Sequence, residues 1–150
     1  MTMTLLPKLP SLSGWKPFLD EAEAFHRIAV KGPGRPAVFT PEILYNIIAM
    51  AIEKYVMAYL IHARNLPDNH TMADLVDGLR RVGNLDDDLA EELLFIDSFQ
   101  EICSVDNYNR TVPTDAEIRR MIGTCNRIRE VVLSRLPSEP EDAPVQISPQ

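Results

Sequence analysis

An all-α domain is the fold class this sequence predicts. Three observations carry that expectation: apolar residues recur at three- and four-residue spacing in five separate stretches, glycine and proline punctuate the chain at "KGPGRP" and Gly83 where such stretches stop, and no run reads as a strand. At 150 residues the chain has the size of a single domain. A core of that scale needs no disulfide or metal to hold it. No internal repeat is visible.

The first helix is expected over residues 17–30, where Phe18, Ala22, Phe25 and Ala29 fall on one face and Pro17 suits a first-turn position. "KGPGRP" (31–36) stops it. The second opens at "TPEI", with Thr40 as N-cap, Pro41 where no N–H is required and Glu42 at the positive helix end. It continues to about Arg64. Ile43, Leu44, Ile47, Ile48, Ala51, Ile52, Tyr55, Val56, Tyr59 and Leu60 cover most of its circumference, which predicts a central helix packed on several sides.

The third helix begins at "TMAD", read as a capping box with Thr71 as N-cap and Asp74 in the place of the usual glutamate. Met72, Leu75, Val76 and Leu79 form its apolar stripe, and Gly83 ends it. The fourth starts near "DDDL" and turns Leu89, Leu93, Ile96, Phe99 and Cys103 inward. The fifth, residues 115–136, places Ile118, Met121, Ile122, Cys125, Ile128, Val132 and Leu136 on one stripe, with Arg120, Arg127 and Glu130 away from it. Five helices with short links predict an up-and-down bundle of mainly antiparallel neighbours. Residues 1–16 read as an N-terminal extension, 17–136 as the domain, and 137–150, "PSEPEDAPVQISPQ" from residue 137 on, as a disordered acidic tail rich in proline.

The prolines of the first eighteen residues interrupt any secretion signal. "ILYNIIAMAI" (43–52) is shorter than the ~20 residues a bilayer demands, and Glu53 and Lys54 then break it. A cytoplasmic protein without a membrane partner is the expectation. Cys103 and Cys125 lack the spacing of a zinc or redox motif, so they read as small buried hydrophobes. The net charge of −7 argues against a broad grip on nucleic acid. That average conceals a polarity along the chain. Residues 74–106 carry ten acids against Arg80 and Arg81, whereas 110–136 carry six arginines against three acids.

"AIEKYVMAYLIHARNLPDNHTMADLVDGL" (51–79) resembles the signature stretch of the HEPN family of helical bundles. Ala51, Glu53, Lys54, Ala58, Leu60, Pro67, His70, Leu75 and Leu79 fit the family pattern. "YNRTVP" (108–113) is similar to the family's tyrosine, arginine and proline before its last long helix, with one extra residue between Arg110 and Pro113. Met57 stands where many members carry a second lysine. The resemblance implies a HEPN-like bundle of four or five helices, often a homodimer, acting with nucleotides or RNA. It also implies, as partner, a small nucleotidyltransferase of a toxin–antitoxin pair. Several members are metal-independent ribonucleases with an arginine and a histidine four to six residues apart. After Arg110 the corresponding positions are Asp115, Ala116 and Glu117, and none can replace imidazole. The expectation is therefore a binding and regulatory module without a catalytic residue and without a cofactor. Two alternatives stand beside it: a ribonuclease toxin using Arg64 and His70, which meet the same spacing elsewhere, and a purely structural interaction module.

His70, preceding the Thr71 cap, reads chiefly as a loop imidazole that orients the third helix, or as a ligand contact. Glu53 and Lys54 need solvent or partners. An arginine of the third or fifth helix suits Glu53, and an acid of the fourth suits Lys54. Arg110, Arg119, Arg120 and Arg127 form a positive end whose planar forks suit a nucleotide or another phosphate. The plainer reading is a solvated face complementing the acidic stretch. Asp86, Asp87 and Asp88 invite a Mg²⁺ site, but three consecutive acids cannot converge, so helix-start chemistry explains them and no metal is expected. His26 and His62 have no partner at a ligand spacing.

Overall fold

The computed structural model describes residues 14–67, 69, 71–83, 85–103 and 112–137, without the side chains of 100–103. His70, Arg110, most of "YNRTVP", the extension up to residue 13 and the acidic tail from 138 lie outside the described residues, as does the Cys103 side chain. Five α-helices pack against one another: α1 (Lys16–Lys31), α2 (Pro41–His62), α3 (Met72–Arg81), α4 (Asp87–Cys103) and α5 (Asp115–Arg135). No strand occurs among the described residues.

Local chemistry accounts for the starts of α2, α3 and α5. Thr40 Oγ1 accepts from the Ile43 N–H at 3.3 Å, which satisfies one of the donors a helix start leaves open. At α3 only half of the expected capping box forms. The Asp74 N–H donates to Thr71 Oγ1 at 3.1 Å, but the Asp74 carboxylate takes the Thr71 hydroxyl proton at 2.7 Å instead of returning to the backbone. Aspartate is one methylene too short for that return. The complete box stands at α5, where the Thr114 N–H donates to Glu117 Oε1 at 2.9 Å and the Glu117 N–H to Thr114 Oγ1 at 3.1 Å.

The stops are equally specific. Gly83 ends α3 with φ +83°, a left-handed conformation that costs glycine nothing. After α2 the same role falls to Arg64, at φ +58°. There the Arg64 N–H donates to the Ile61 carbonyl at 3.0 Å and the Asn65 N–H to the Leu60 carbonyl at 2.9 Å. This is a Schellman motif with an arginine where glycine is usual.

The core lies around α2. Every residue from 55 to 61 is buried, so its C-terminal half is enclosed on all sides by α1, α3 and α5. Its N-terminal half departs from the expected full coat: Ile43 and Met50 stay 42% and 41% exposed, and Ile47 is half-buried. Neighbours converge on one end of the rod and splay from the other. By length and composition α2 passes as a membrane span, yet 61% of its most apolar stretch is buried inside the protein. Side-chain pairs give the helix directions. Glu23 and His26 meet Arg129 and Asn126, so α1 and α5 run antiparallel. Asp88 and Glu92 meet Arg127 and Arg120, so α4 and α5 do too. Tyr45 of α2 donates its buried hydroxyl to the Ile96 carbonyl of α4 at 2.9 Å.

Candidate anion-binding site

Of the four arginines expected to form one positive end, Arg110 lies outside the described residues, and the other three do not share one environment. Arg120 is held by two partners, Glu92 and Phe95. Its Nε and Nη2 fork onto Glu92 at 2.9 and 3.1 Å, and the guanidinium lies 3.7 Å above the Phe95 ring. A bidentate, stacked guanidinium is a strong and specific pairing. Arg127 reaches Asp88 at 3.0 Å and Asp86 at 3.7 Å. The acidic and basic stretches thus meet across α4 and α5 and complement each other. Asp86 and Asp88 serve that pairing, and among the described residues no three His, Cys, Asp or Glu side chains converge as metal ligands. Arg119 is exposed and makes no ion pair with any described residue.

The Glu92 carboxyl is held below its ordinary pKa, first by the Arg120 hydrogen bond. A depressed carboxylate contributes stability above its unfolded pKa, about 4.3 for glutamate. That contribution disappears as pH falls through the lower folded value. Glu92→Gln is therefore expected to be less stable than the parent at neutral pH, and the gap should close on acidification. Urea titrations at several pH values measure it, and a gap independent of pH would contradict the assignment.

Lys54 corrects an expectation. Its ammonium pairs with Glu21 of α1 at 3.0 Å and lies 5.2 Å from the centre of the Phe18 ring, not against an acid of α4. Glu53 is half-buried and engaged. His62 lies edge-on to Trp15, with ring centres 5.8 Å apart. Cys125 is a buried free thiol, pushed up to about 12 by burial, which keeps it protonated and unreactive.

A polar cluster joins α1, α2 and α5. Arg129 Nε donates to both Glu23 oxygens, at 3.0 and 3.3 Å. His26 Nε2 and Asn126 Oδ1 lie 2.7 Å apart. The Tyr55 hydroxyl is buried beside Glu23 and Arg129 without a well-aligned hydrogen bond, and burial, then the Glu23 charge, raises its pKa above the ordinary value. The cluster locks α1 to α5.

A different set of cations faces open space. Arg27 and Lys31 stand one turn apart on α1, as residues four apart on a helix do. The 3₁₀ turn Gly32–Gly34 then brings Arg35 back beside them. Together they line a groove of about 450 Å³ whose floor is Ala24, Ile28 and Phe39. All three cations are exposed, and none pairs with a described carboxylate. Phe39 also lines a hollow of about 210 Å³, walled by Pro33, Pro36 and Ile118 as well, with Asp115 and Arg119 on it. The loop between α1 and α2 is tied down. The Arg35 N–H donates to the Gly32 carbonyl at 2.8 Å, and the Arg35 carbonyl accepts from Val38 and Phe39 at 3.0 and 2.9 Å.

Sequence reasoning missed this site because "KGPGRP" reads first as a helix stop. The available signal was three cations at four-residue intervals, 27, 31 and 35, running through that stop. No family model, curated protein or solved structure matches the chain.

Proposed function

We propose that this chain is a HEPN-like binding and regulatory module, without catalysis of its own, that engages a nucleotide or RNA through its phosphates. One observation carries the reading: Arg27, Lys31 and Arg35 line an apolar-floored groove with no carboxylate among the described residues to neutralise them. Bare cations beside apolar surface attract an anion with an organic body. The five packed helices and the placement of Ala51, Ala58, Leu60, Leu75 and Leu79 in the core support the family part. Ile43 and Met50, exposed on α2, support a homodimer in which a second copy covers them. A nucleotidyltransferase partner belongs to the same reading.

Thermal-shift measurements with nucleotides and a short RNA test the ligand. A rise in melting temperature that Arg27→Ala, Lys31→Ala and Arg35→Ala together abolish is the expected result. No rise with any of them removes the ligand reading.

A second reading, a ribonuclease using Arg64 and His70, gains from Arg64 alone. A non-glycine residue in the left-handed region costs roughly 1–2 kcal/mol, and such positions gather at functional sites. Arg64→Gly separates the two. A helix stop predicts a protein about 1 kcal/mol more stable with its function intact. Loss of an RNA-cleaving activity in that variant, with stability raised, would favour the ribonuclease.

A further inference from the structure

The groove and the hollow meet at one side chain. Phe39 is a wall of both, and its position is set from beneath. A Cβ built on Gly32 would meet Leu44 Cδ2 at 2.5 Å and Phe39 Cγ at 3.3 Å. The absent side chain at Gly32 therefore lets the ring lie down on the backbone. The two hydrogen bonds from residues 38 and 39 to the Arg35 carbonyl tie the ring to the third cation of the groove. The ring and the loop backbone at Arg35 are placed before any ligand arrives, which lowers the ordering cost of binding.

The two compartments differ in chemistry. The groove holds three cations on an apolar floor. The hollow has flat proline and aromatic walls, with one carboxylate, Asp115, and one guanidinium, Arg119, and it is too small for more than a ring system. Three cations exceed what one phosphate requires, so the groove suits two linked phosphates. A phosphate would be repelled by Asp115, whereas the amino group of a base can donate to it. The charges thus give the ligand a direction: phosphates toward Arg27, Lys31 and Arg35, base toward Pro33, Pro36 and Asp115.

Building on the nucleotide reading above, we infer that Phe39 divides a two-compartment site for a nucleoside diphosphate, with the diphosphate on Arg27, Lys31 and Arg35 and the base in the hollow beside Asp115. The volume of the groove, about 450 Å³, falls within the roughly 300–1,000 Å³ of small-ligand sites.

Calorimetric titration of the full chain with adenosine diphosphate, inorganic pyrophosphate and adenosine tests it. The diphosphate is expected to bind at least tenfold more tightly than either half. Lys31→Ala with Arg35→Ala should weaken adenosine diphosphate and pyrophosphate alike, by tenfold or more. Phe39→Leu, with its melting temperature checked, should bring adenosine diphosphate down to the pyrophosphate level and leave pyrophosphate unchanged. Equal affinity for adenosine diphosphate and pyrophosphate would reduce the site to a plain anion groove and overturn the inference. So would binding that the double variant leaves untouched. If a short RNA binds and adenosine diphosphate does not, the inference is lost and the binding-module reading stands. If neither binds, both are lost.

Discussion

Leu60→Ala is expected to lower the free energy of unfolding by about 2–5 kcal/mol, the range for deleting a large apolar side chain from a packed core. Leu60 is fully buried, in the stretch 55–61 where every residue of α2 is buried. The cavity cannot collapse easily, because α2 is held by α1, α3 and α5 at once. Urea unfolding followed by circular dichroism gives the number. A loss below about 1 kcal/mol would mean that this end of α2 is not enclosed, since that is the size of an ordinary surface effect.

Gly78→Val is expected to cost about 1–3 kcal/mol by overpacking the same contact from the other side. A Cβ on Gly78 would lie 2.8 Å from Leu60 Cδ1 and 3.5 Å from Cδ2. A glycine inside α3 forgoes about 1 kcal/mol of helix propensity. Its retention fits the close approach of α3 to α2. Valine adds two methyl groups beyond that Cβ, directly onto Leu60. The pair is the decisive measurement. Leu60→Ala with Gly78→Val should be destabilised by less than the sum of the single variants, with a coupling of about 0.5–3 kcal/mol, because the new methyls enter the space the leucine leaves. Simple additivity would show that the two residues do not touch.

Much of the fold was legible because helix formation is written locally. The apolar spacing of Ile118, Met121, Ile122, Cys125, Ile128, Val132 and Leu136 marks a face, and all are buried except Ile122 and Leu136, which are half-buried. Thr40, Thr71 and Gly83 act at the helix ends the sequence indicates. The Thr114–Glu117 box is equally present in the sequence, while "TMAD" promises a box that an aspartate cannot complete. The stop after α2 was not legible. Arg64 carries no mark of a left-handed residue, and only the two crossing hydrogen bonds behind it show why it adopts one.

The candidate site was the least legible part. Arg120 and Arg127 look available on a helical wheel of α5, but Glu92, Asp88 and Asp86 come from α4. Lys54 looks like a charge in need of an acidic helix and finds Glu21 on α1. Arg27, Lys31 and Arg35 look like ordinary surface cations around a helix stop. They line one groove only because the 3₁₀ turn folds Arg35 back and Phe39 lies over Gly32.

The amino-acid order alone determined that this chain forms five helices, where most of them begin and end, and that α2 carries the greasiest surface. Those properties depend on residues within one or two turns of each other. Which charges are neutralised and which stay bare was decided only in three dimensions. Coulombic pairing acts between side chains that are neighbours in space, and here those neighbours stand up to 106 positions apart in the chain.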